Sequence, residues 1–432
     1  MNLHRQLEKR QSEGKPILVG ASAMGWMGEG FAAAMELVPG MELSVLANAD
    51  PGEARRILEA AGVPAESIVE ANTPAKAQDA MKMGRRVIMP DVRLLAQVPG
   101  LDLVTDVTWS PAVGAETALS CIEHGKDIVL INIEADVTVG RILKRKAEQA
   151  GVLYSVSSGD EPGCLIELVD FVSSLGYEII TAGKGKNNPL DSSATPDSVD
   201  ESARKADKDP YQVASYVDGT KTMYEMTCAA NATGFQPMQR GMIGPEADLE
   251  TVPQVFALEE DGGLSRFAGN VDFVQGSAMA GGVFVVVRVA DARIQADLKY
   301  LKVGSGKYYV FFRPYHLWFL EAPISLARAV LNREIWMQPL DEPVAEVLTI
   351  AKRDLKAGDT LEQAGGYTSY GVMDLALEAQ RLNALPAGLS PGARVIRPVS
   401  KGAVVTWDDV TLDESSTLVQ LRREQDRLDF GQ

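Results

Sequence analysis

Basic charge, cysteine and long apolar runs are all scarce in this sequence. Lys and Arg total 42 against 59 Asp and Glu, a net charge of −17. Nucleic acid and an anionic membrane surface both repel such a chain, so neither is expected as a partner. The three cysteines, Cys121, Cys164 and Cys228, are far apart and form no disulfide or metal-binding pattern, which suits a reducing compartment and a packing role. No apolar stretch approaches the roughly 18–20 residues of a membrane span. The polar start MNLHRQLEKRQSEGK has no apolar core of the secretory kind and reads as a lead-in helix. These absences together lead to the expectation of a cytoplasmic protein. With 432 residues, 46% apolar and 23% charged, there is room for two or three domains around a large core.

The most informative stretch is Pro16 to Gly28, PILVGASAMGWMG. Ile17, Leu18 and Val19 read as a short buried strand, glycines follow, and Phe31 to Val38 reads as a helix packing back on it. Strand, glycine turn and helix near an N-terminus is how a dinucleotide-binding unit begins, because a pyrophosphate must approach bare backbone N–H groups at a helix N-terminus. In the frame Gly20-x-Ser22-x-x-Gly25, a serine takes the middle glycine's place; it is small enough to let a phosphate approach and can donate its hydroxyl. Gly20, Ser22, Ala23, Met24 and Gly25 are therefore the expected cofactor turn. The alternative is a tight turn of an ordinary α/β protein.

A second strand, Glu42 to Ala47, ends at Asn48, with Asp50 two residues on. An acidic residue roughly 20 residues past the glycine turn normally holds the adenosine ribose. The neutral Asn48, with Arg55 and Arg56 nearby, leans towards NADPH over NADH. Asp102 to Trp109 and Asp127 to Ile133 read as further strands separated by a helix, so the pattern is a doubly wound parallel sheet. Ligands of such sheets lie at the strands' carboxyl ends, which points Trp109, Ser110, Asn132 and Glu134 at the nicotinamide end.

Beyond Ser157, SGDEPG leads to a helix, the strand Tyr177 to Ala182 and then Gly183-Lys184-Gly185-Lys186. Lysines alternating with glycines suit an anion or phosphate cradle; the alternative is a basic surface loop. Residues 187–210 read as an exposed loop, either a lid or an insertion. In the helix that follows, Asp218, Lys221 and Glu225 share one face, either as a lysine acid held by carboxylates or as a surface ion-pair set. Gly281 to Val289 and Lys307 to Phe312 read as strands, followed by Arg313, a phosphate candidate, and His316. Leu326 to Leu331 reads as a helix that returns to the nucleotide domain. From Ala345 short strands and turns dominate, with a weak two-copy repeat at Arg353 to Leu361 and Arg397 to Val405, and the tail Thr417 to Leu428 is amphipathic.

VGASAMGWMG, INIEADVTVG, SGDEPG, AGKGK, DGTKTMYEMTCAANATG, RPYHL and the C-terminal repeat occur in an order that resembles the homoserine-dehydrogenase-like oxidoreductases with a C-terminal SAF domain. Within that group the chain is similar, over nearly its whole length, to the deoxyxylulose 5-phosphate reductoisomerase-like enzymes of isoprenoid precursor synthesis. The resemblance implies an α/β chain of three parts: a Rossmann domain at 1–157, a catalytic and dimerisation domain at 158–344, and a small β-rich SAF-like domain at 345–432. It also implies a homo-oligomer, NADPH or NADH and, for the reductoisomerase branch, Mg²⁺ or Mn²⁺.

The activity this implies is conversion of 1-deoxy-D-xylulose 5-phosphate to 2-C-methyl-D-erythritol 4-phosphate. The alternatives are dehydrogenation of another small hydroxy or carbonyl compound, such as a sugar acid or a homoserine-like one, and a non-catalytic nucleotide- and sugar-sensing protein. Homoserine chemistry ranks lower, since Glu134 stands where those enzymes carry a catalytic lysine. Lysine can protonate or stabilise a developing alkoxide, so Lys221 and Lys184, with Asp218, Glu134 and Asp160, are the expected catalytic set. Glu134 and Asp160 are also the candidate metal ligands. Lys186, Glu161, Asn231, Arg313 and His316 are expected to bind a small, phosphorylated substrate.

Overall fold

The computed structural model describes residues 2–431, which group into two compact units. The first holds the chain up to Asp160, Leu317–Pro339 and the tail from Glu414; the second holds Glu161–His316 and Leu340–Asp413. The segment expected as a third, SAF-like part is thus shared between them.

The first unit runs α1 (Leu3–Ser12), β1 (Ile17–Ala23), α2 (Gly25–Leu37), β2 (Met41–Ala47), α3 (Pro51–Ala60), β3 (Ile68–Glu70), α4 (Pro74–Lys82), β4 (Arg86–Met89), β5 (Leu103–Val107), α5 (Pro111–Glu123), β6 (Ile128–Leu130), α6 (Ile133–Ala150) and β7 (Tyr154–Val156). Its seven strands are all parallel in the order β3-β4-β2-β1-β5-β6-β7, so the direction of winding reverses between β1 and β5. Strands covered on both faces need apolar side chains on both, and β1, β2 and β5 are buried along almost their whole length. Two expected strands are shorter than their apolar runs. β5 stops at Val107, and β6 stops at Leu130 because Asn132 caps α6, its Oδ1 accepting from Ala135 N at 2.9 Å.

The second unit runs α7 (Glu161–Ser174), β8 (Glu178–Gly185), α8 (Pro196–Lys205), α9 (Pro210–Val217), α10 (Thr220–Thr233), β9 (Gln236–Pro237), α11 (Val252–Val255), β10 (Asn270–Val274), β11 (Val283–Arg288), α12 (Ala292–Tyr300) and β12 (Tyr308–Arg313). Its mixed five-stranded sheet has the order β12-β11-β8-β10-β9. Residues 187–210, expected as an exposed loop, contain α8, and Val199 and Ala203 pack with Ala194, Val213 and Ala214 in a small core. Thr195 opens α8 with a capping box that the polar composition of the stretch hides.

After β12 the chain returns to the first unit as α13 (Ala322–Asn332), where Phe319, Ala322 and Leu326 join the core of Val19, Phe31 and Leu103. β13 (Ala345–Ala351), β14 (Ser369–Leu375), α14 (Ala376–Arg381), β15 (Arg394–Val395) and β16 (Val410–Thr411) belong to the second unit. α15 (Thr417–Phe430) belongs to the first, where Gln425 Oε1 accepts from Ile142 N of α6 at 3.0 Å. Among the described residues no helix is long and apolar enough to cross a membrane.

Candidate active site

At the head of the first unit the glycine frame moves three residues along the chain from the expected one. β1 continues through Ala23, so Gly20 lies inside the strand, where an added Cβ would stand 2.7 Å from Leu101 Cδ1. Ser22 is also within β1 and fully buried, and its hydroxyl donates to Asp106 at 2.5 Å. That bond ties its hydroxyl to β5, with Thr117 of α5 at 3.3 Å. The turn is Ala23-Met24-Gly25, and the fingerprint spacing is Ala23-x-Gly25-x-x-Gly28. Gly25 opens α2 at φ +61° with open space where a Cβ would be. Gly28 brings α2 down on the strand, since a Cβ there would meet Ala23 Cβ and Ile57 Cδ1 at 3.1 Å. Those are the positions at which a dinucleotide fold needs glycine, so the turn fits the coenzyme.

Asn48 is buried at the end of β2, its amide donating to Ala23 O and to Glu53 Oε2, both at 2.9 Å. The other oxygen of Glu53 accepts from Gly25 N at 2.8 Å. Asn48 therefore reaches the glycine turn, with Glu53 as a partner that the sequence reading missed. Asp50 caps α3, accepting from Gly52 N at 2.8 Å, so capping is what its carboxylate does in this structure. Arg55 lies 3.5 Å from Glu70. Trp109 is half-buried in the loop after β5. Asn132 donates to Asp106 Oδ2 and Ser110 O at 2.8 Å while capping α6, which commits an amide that had been expected to face the nicotinamide. Glu134 sits half-buried in the first turn of α6. Asp160 is buried immediately before Glu161.

In the second unit, β8 explains the alternation of lysine and glycine. Gly183 and Gly185 are close-approach positions, because a Cβ there would stand 2.3 Å from Asp272 O and 1.8 Å from Met279 O. These close approaches seat both glycines within the sheet. The period of two then puts Lys184 on the opposite face, with Lys186 following on the same side. Lys184 Nζ donates to Glu161 Oε1 of α7 at 2.6 Å and to Glu225 Oε2 of α10. All three side chains are nearly fully buried. Burial alone would lower the pKa of Lys184, but Glu161 and then Glu225 outweigh it and hold the lysine above its usual value.

Lys221 Nζ stands 3.9 Å from Glu225 Oε1. Lys186 donates to Tyr216 O at 2.6 Å, and burial, followed by repulsion from Lys184, brings its pKa down to about 8. His316 Nε2 lies 3.5 Å from Glu161 Oε2, and its Nδ1 meets Gly281 O at 2.9 Å. Lys184, Lys186, Lys221, Glu161 and His316 are thus brought together with Glu225, whose place the sequence reading saw only as a neighbour of Lys221.

Three expected site residues are engaged elsewhere. Asp218 precedes α10 instead of sharing its face with Lys221, and pairs with Lys352 at 2.8 Å. The Asn231 amide secures the backbone leading into β13, with Oδ1 accepting from Ala345 N at 3.0 Å. Arg313 pairs with Glu167 at 3.0 Å and lies over the Tyr315 ring.

Residues 159–322 match the family model described as oxidoreductase DRL, catalytic domain. The match spans β8, α10 and their lysines but less than half of the chain. No curated protein sequence matches. Among solved structures the chain is similar to a probable dehydrogenase from Thermotoga maritima (14% identity, TM-score 0.41, covering 74% of this chain and 90% of that one). It is also similar to scyllo-inositol dehydrogenase from Lactobacillus casei, solved with NAD(H) and scyllo-inositol (12% identity, TM-score 0.39, covering 74% and 91%). Superpositions this loose carry no argument about activity. The oxidoreductase description therefore attaches to residues 159–322.

Proposed function

We propose that the chain is a nicotinamide-dependent oxidoreductase acting on a small hydroxy or carbonyl compound of sugar or sugar-acid type. The observation that carries this is the buried Lys184 between Glu161 and Glu225, inside the segment that matches an oxidoreductase catalytic domain. The Ala23-x-Gly25-x-x-Gly28 turn and the winding reversal beside it support the coenzyme, NADPH or NADH, which supplies or accepts the hydride.

The chain's own residues then have distinct tasks. Lys184, held cationic by two carboxylates, stabilises negative charge on an oxygen of the substrate but is a poor proton donor. Lys186, whose ammonium is weakened by burial, gives up and regains a proton near neutral pH, and so suits general acid–base work. Lys221 and His316 flank Glu225 and Glu161 and orient them. Asp160 and Glu134 are the carboxylates proposed for a divalent cation.

A second reading, reductoisomerisation of 1-deoxy-D-xylulose 5-phosphate, is favoured by the resemblance of the AGKGK and RPYHL segments and by the concentration of lysines at Lys184 and Lys186. The test is NADPH and NADH absorbance against a panel of sugar acids, inositols and hydroxy acids. Deoxyxylulose 5-phosphate is included, with and without Mg²⁺ or Mn²⁺. Turnover of a hydroxy compound without metal supports the first reading, and metal-dependent turnover of the deoxyxylulose ester supports the second. Coenzyme binding with no turnover on any compound overturns both in favour of a sensing protein.

A further inference from the structure

Asp106, at the carboxyl end of β5, is fully buried and accepts from four directions. Ser22 Oγ of β1 and Thr108 N approach its Oδ1 at 2.5 and 3.4 Å, and Asn132 Nδ2 and Thr108 Oγ1 approach its Oδ2 at 2.8 and 3.0 Å. Asn132 carries the link onward to Ser110 O and to the first turn of α6, and Ser22 lies 3.3 Å from Thr117 of α5. Gly114 lets α5 come close, since a Cβ there would stand 2.6 Å from Ala135 Cβ and 2.8 Å from Asn132 Nδ2. Every one of these donors is neutral, so the carboxylate is desolvated with no countercharge beside it among the described residues, which raises its pKa to about 6. Such a group costs stability, and a fold without need of it would do as well with apolar packing.

Its place on the sheet suggests the need. Asn48 marks the end of β2, where the adenosine ribose of a dinucleotide falls, and the pyrophosphate falls at the head of α2. The nicotinamide half then falls on the other side of the winding reversal, over β5, β6 and the loop 108–110.

We propose that Asp106 is a positioning residue for the nicotinamide half of the coenzyme, holding β1, the loop 108–110 and the head of α6 in one arrangement through Ser22, Thr108 and Asn132. This rests on the coenzyme reading above. A carboxylate is suited to the task because both oxygens only accept. In Asp106→Asn one of them becomes an NH₂ that faces donors, so the loop and the head of α6 shift with no change of volume.

The test is calorimetric binding of NADH, NADPH and ADP-ribose to the full chain, with the emission of bound NADH as a local signature. Asp106→Asn is expected to weaken NADH at least tenfold and alter that emission while leaving ADP-ribose within twofold. Thr108→Val, which removes one donor and keeps the carboxylate, is expected to move NADH affinity the same way by about threefold, and it decides the matter should Asp106→Asn not fold. Unchanged NADH affinity in whichever variant folds, or equal loss of NADH and ADP-ribose, overturns the positioning role. Failure of the unaltered chain to bind any of the three overturns the coenzyme reading itself.

Discussion

Lys352 Nζ lies 2.8 Å from Asp218 Oδ2, with both side chains almost completely out of solvent. The lysine follows β13 and the aspartate sits between α9 and α10, so this pair ties the β-rich segment to the start of the helix that carries Lys221. Lys352 also donates to Ala194 O at 2.6 Å and Gly366 O at 2.8 Å, while Asp218 Oδ1 accepts from Thr220 N at 2.8 Å. Removing one member leaves a buried charge alone, so Lys352→Met should cost about 3–5 kcal/mol. The double variant Asp218→Asn/Lys352→Met should recover much of that. Denaturant melts of the three variants check it.

The lysines of the second unit should separate binding from turnover. Lys184→Ala and Lys221→Ala should lower kcat on whichever compound the panel identifies, by about 10²-fold for Lys184, the scale of losing one preorganised donor. NADH affinity should stay within twofold, because the coenzyme is proposed to bind residues of the other unit. Full rate in either variant would reduce that lysine to plain charge.

Lys186 supplies the pH prediction. Its pKa in the folded chain, about 8, lies below the unfolded lysine's 10.5. Between those values the unfolded chain binds the extra proton, so this group makes stability rise with pH across the window; its full cost is present below 8. ¹³C-dimethyl-lysine NMR should show one resonance titrating near 8 that is missing in Lys186→Met. Melts of that variant should lose the rise in stability above pH 8.

Gly30 on α2 faces Phe319, whose Cε2 would stand 2.1 Å from an added Cβ. Trp26 packs edge-on against that ring at 5.2 Å, and Trp318 lies beside it at 5.7 Å, so it has little room to swing. Gly30→Ala gains roughly 0.5–1 kcal/mol from helix preference and loses about 1–3 kcal/mol from overpacking. The net effect should be destabilising, with Phe319→Leu restoring part of it. Thermal melts of the single and double variants decide this.

Glu53 places a carboxylate beside Asn48, at the end of β2 where the adenosine ribose is proposed to fall, so it would repel the 2′-phosphate of NADPH. Glu53→Gln should therefore tighten NADPH more than NADH. Equal changes for both coenzymes would mean that Glu53 lies outside the adenosine pocket.

The doubly wound sheet was legible because it is written locally, in apolar runs for buried parallel strands and glycines at the turn; the cap at Asn132, which ends β6 early, reads as strand in the sequence. The frame of the turn was not legible. Ala21 and Ala23 carry no strong strand signal of their own, and pairing with β2 and β5 shows that the strand ends at Ala23. The lysines were visible as a motif, yet their flanking glycines suggested a loop, whereas the approach of Asp272 O and Met279 O makes them strand positions. Glu225 could be found only as a neighbour of Lys221, since Lys184 lies 41 residues away in sequence.

By itself the sequence determined the alternation of strands and helices around the first glycine turn, the acidic character and the lysines and carboxylates that are proposed as reactive groups, since each depends on residue type and short-range spacing. Tertiary structure alone decided which acid meets which amine. Asp218 goes to Lys352 and Glu161 to Lys184, and Asp106 is left among neutral donors. The physical reason is that a buried charge is stabilised by whatever the fold brings within about 3 Å, and distance along the chain does not report that.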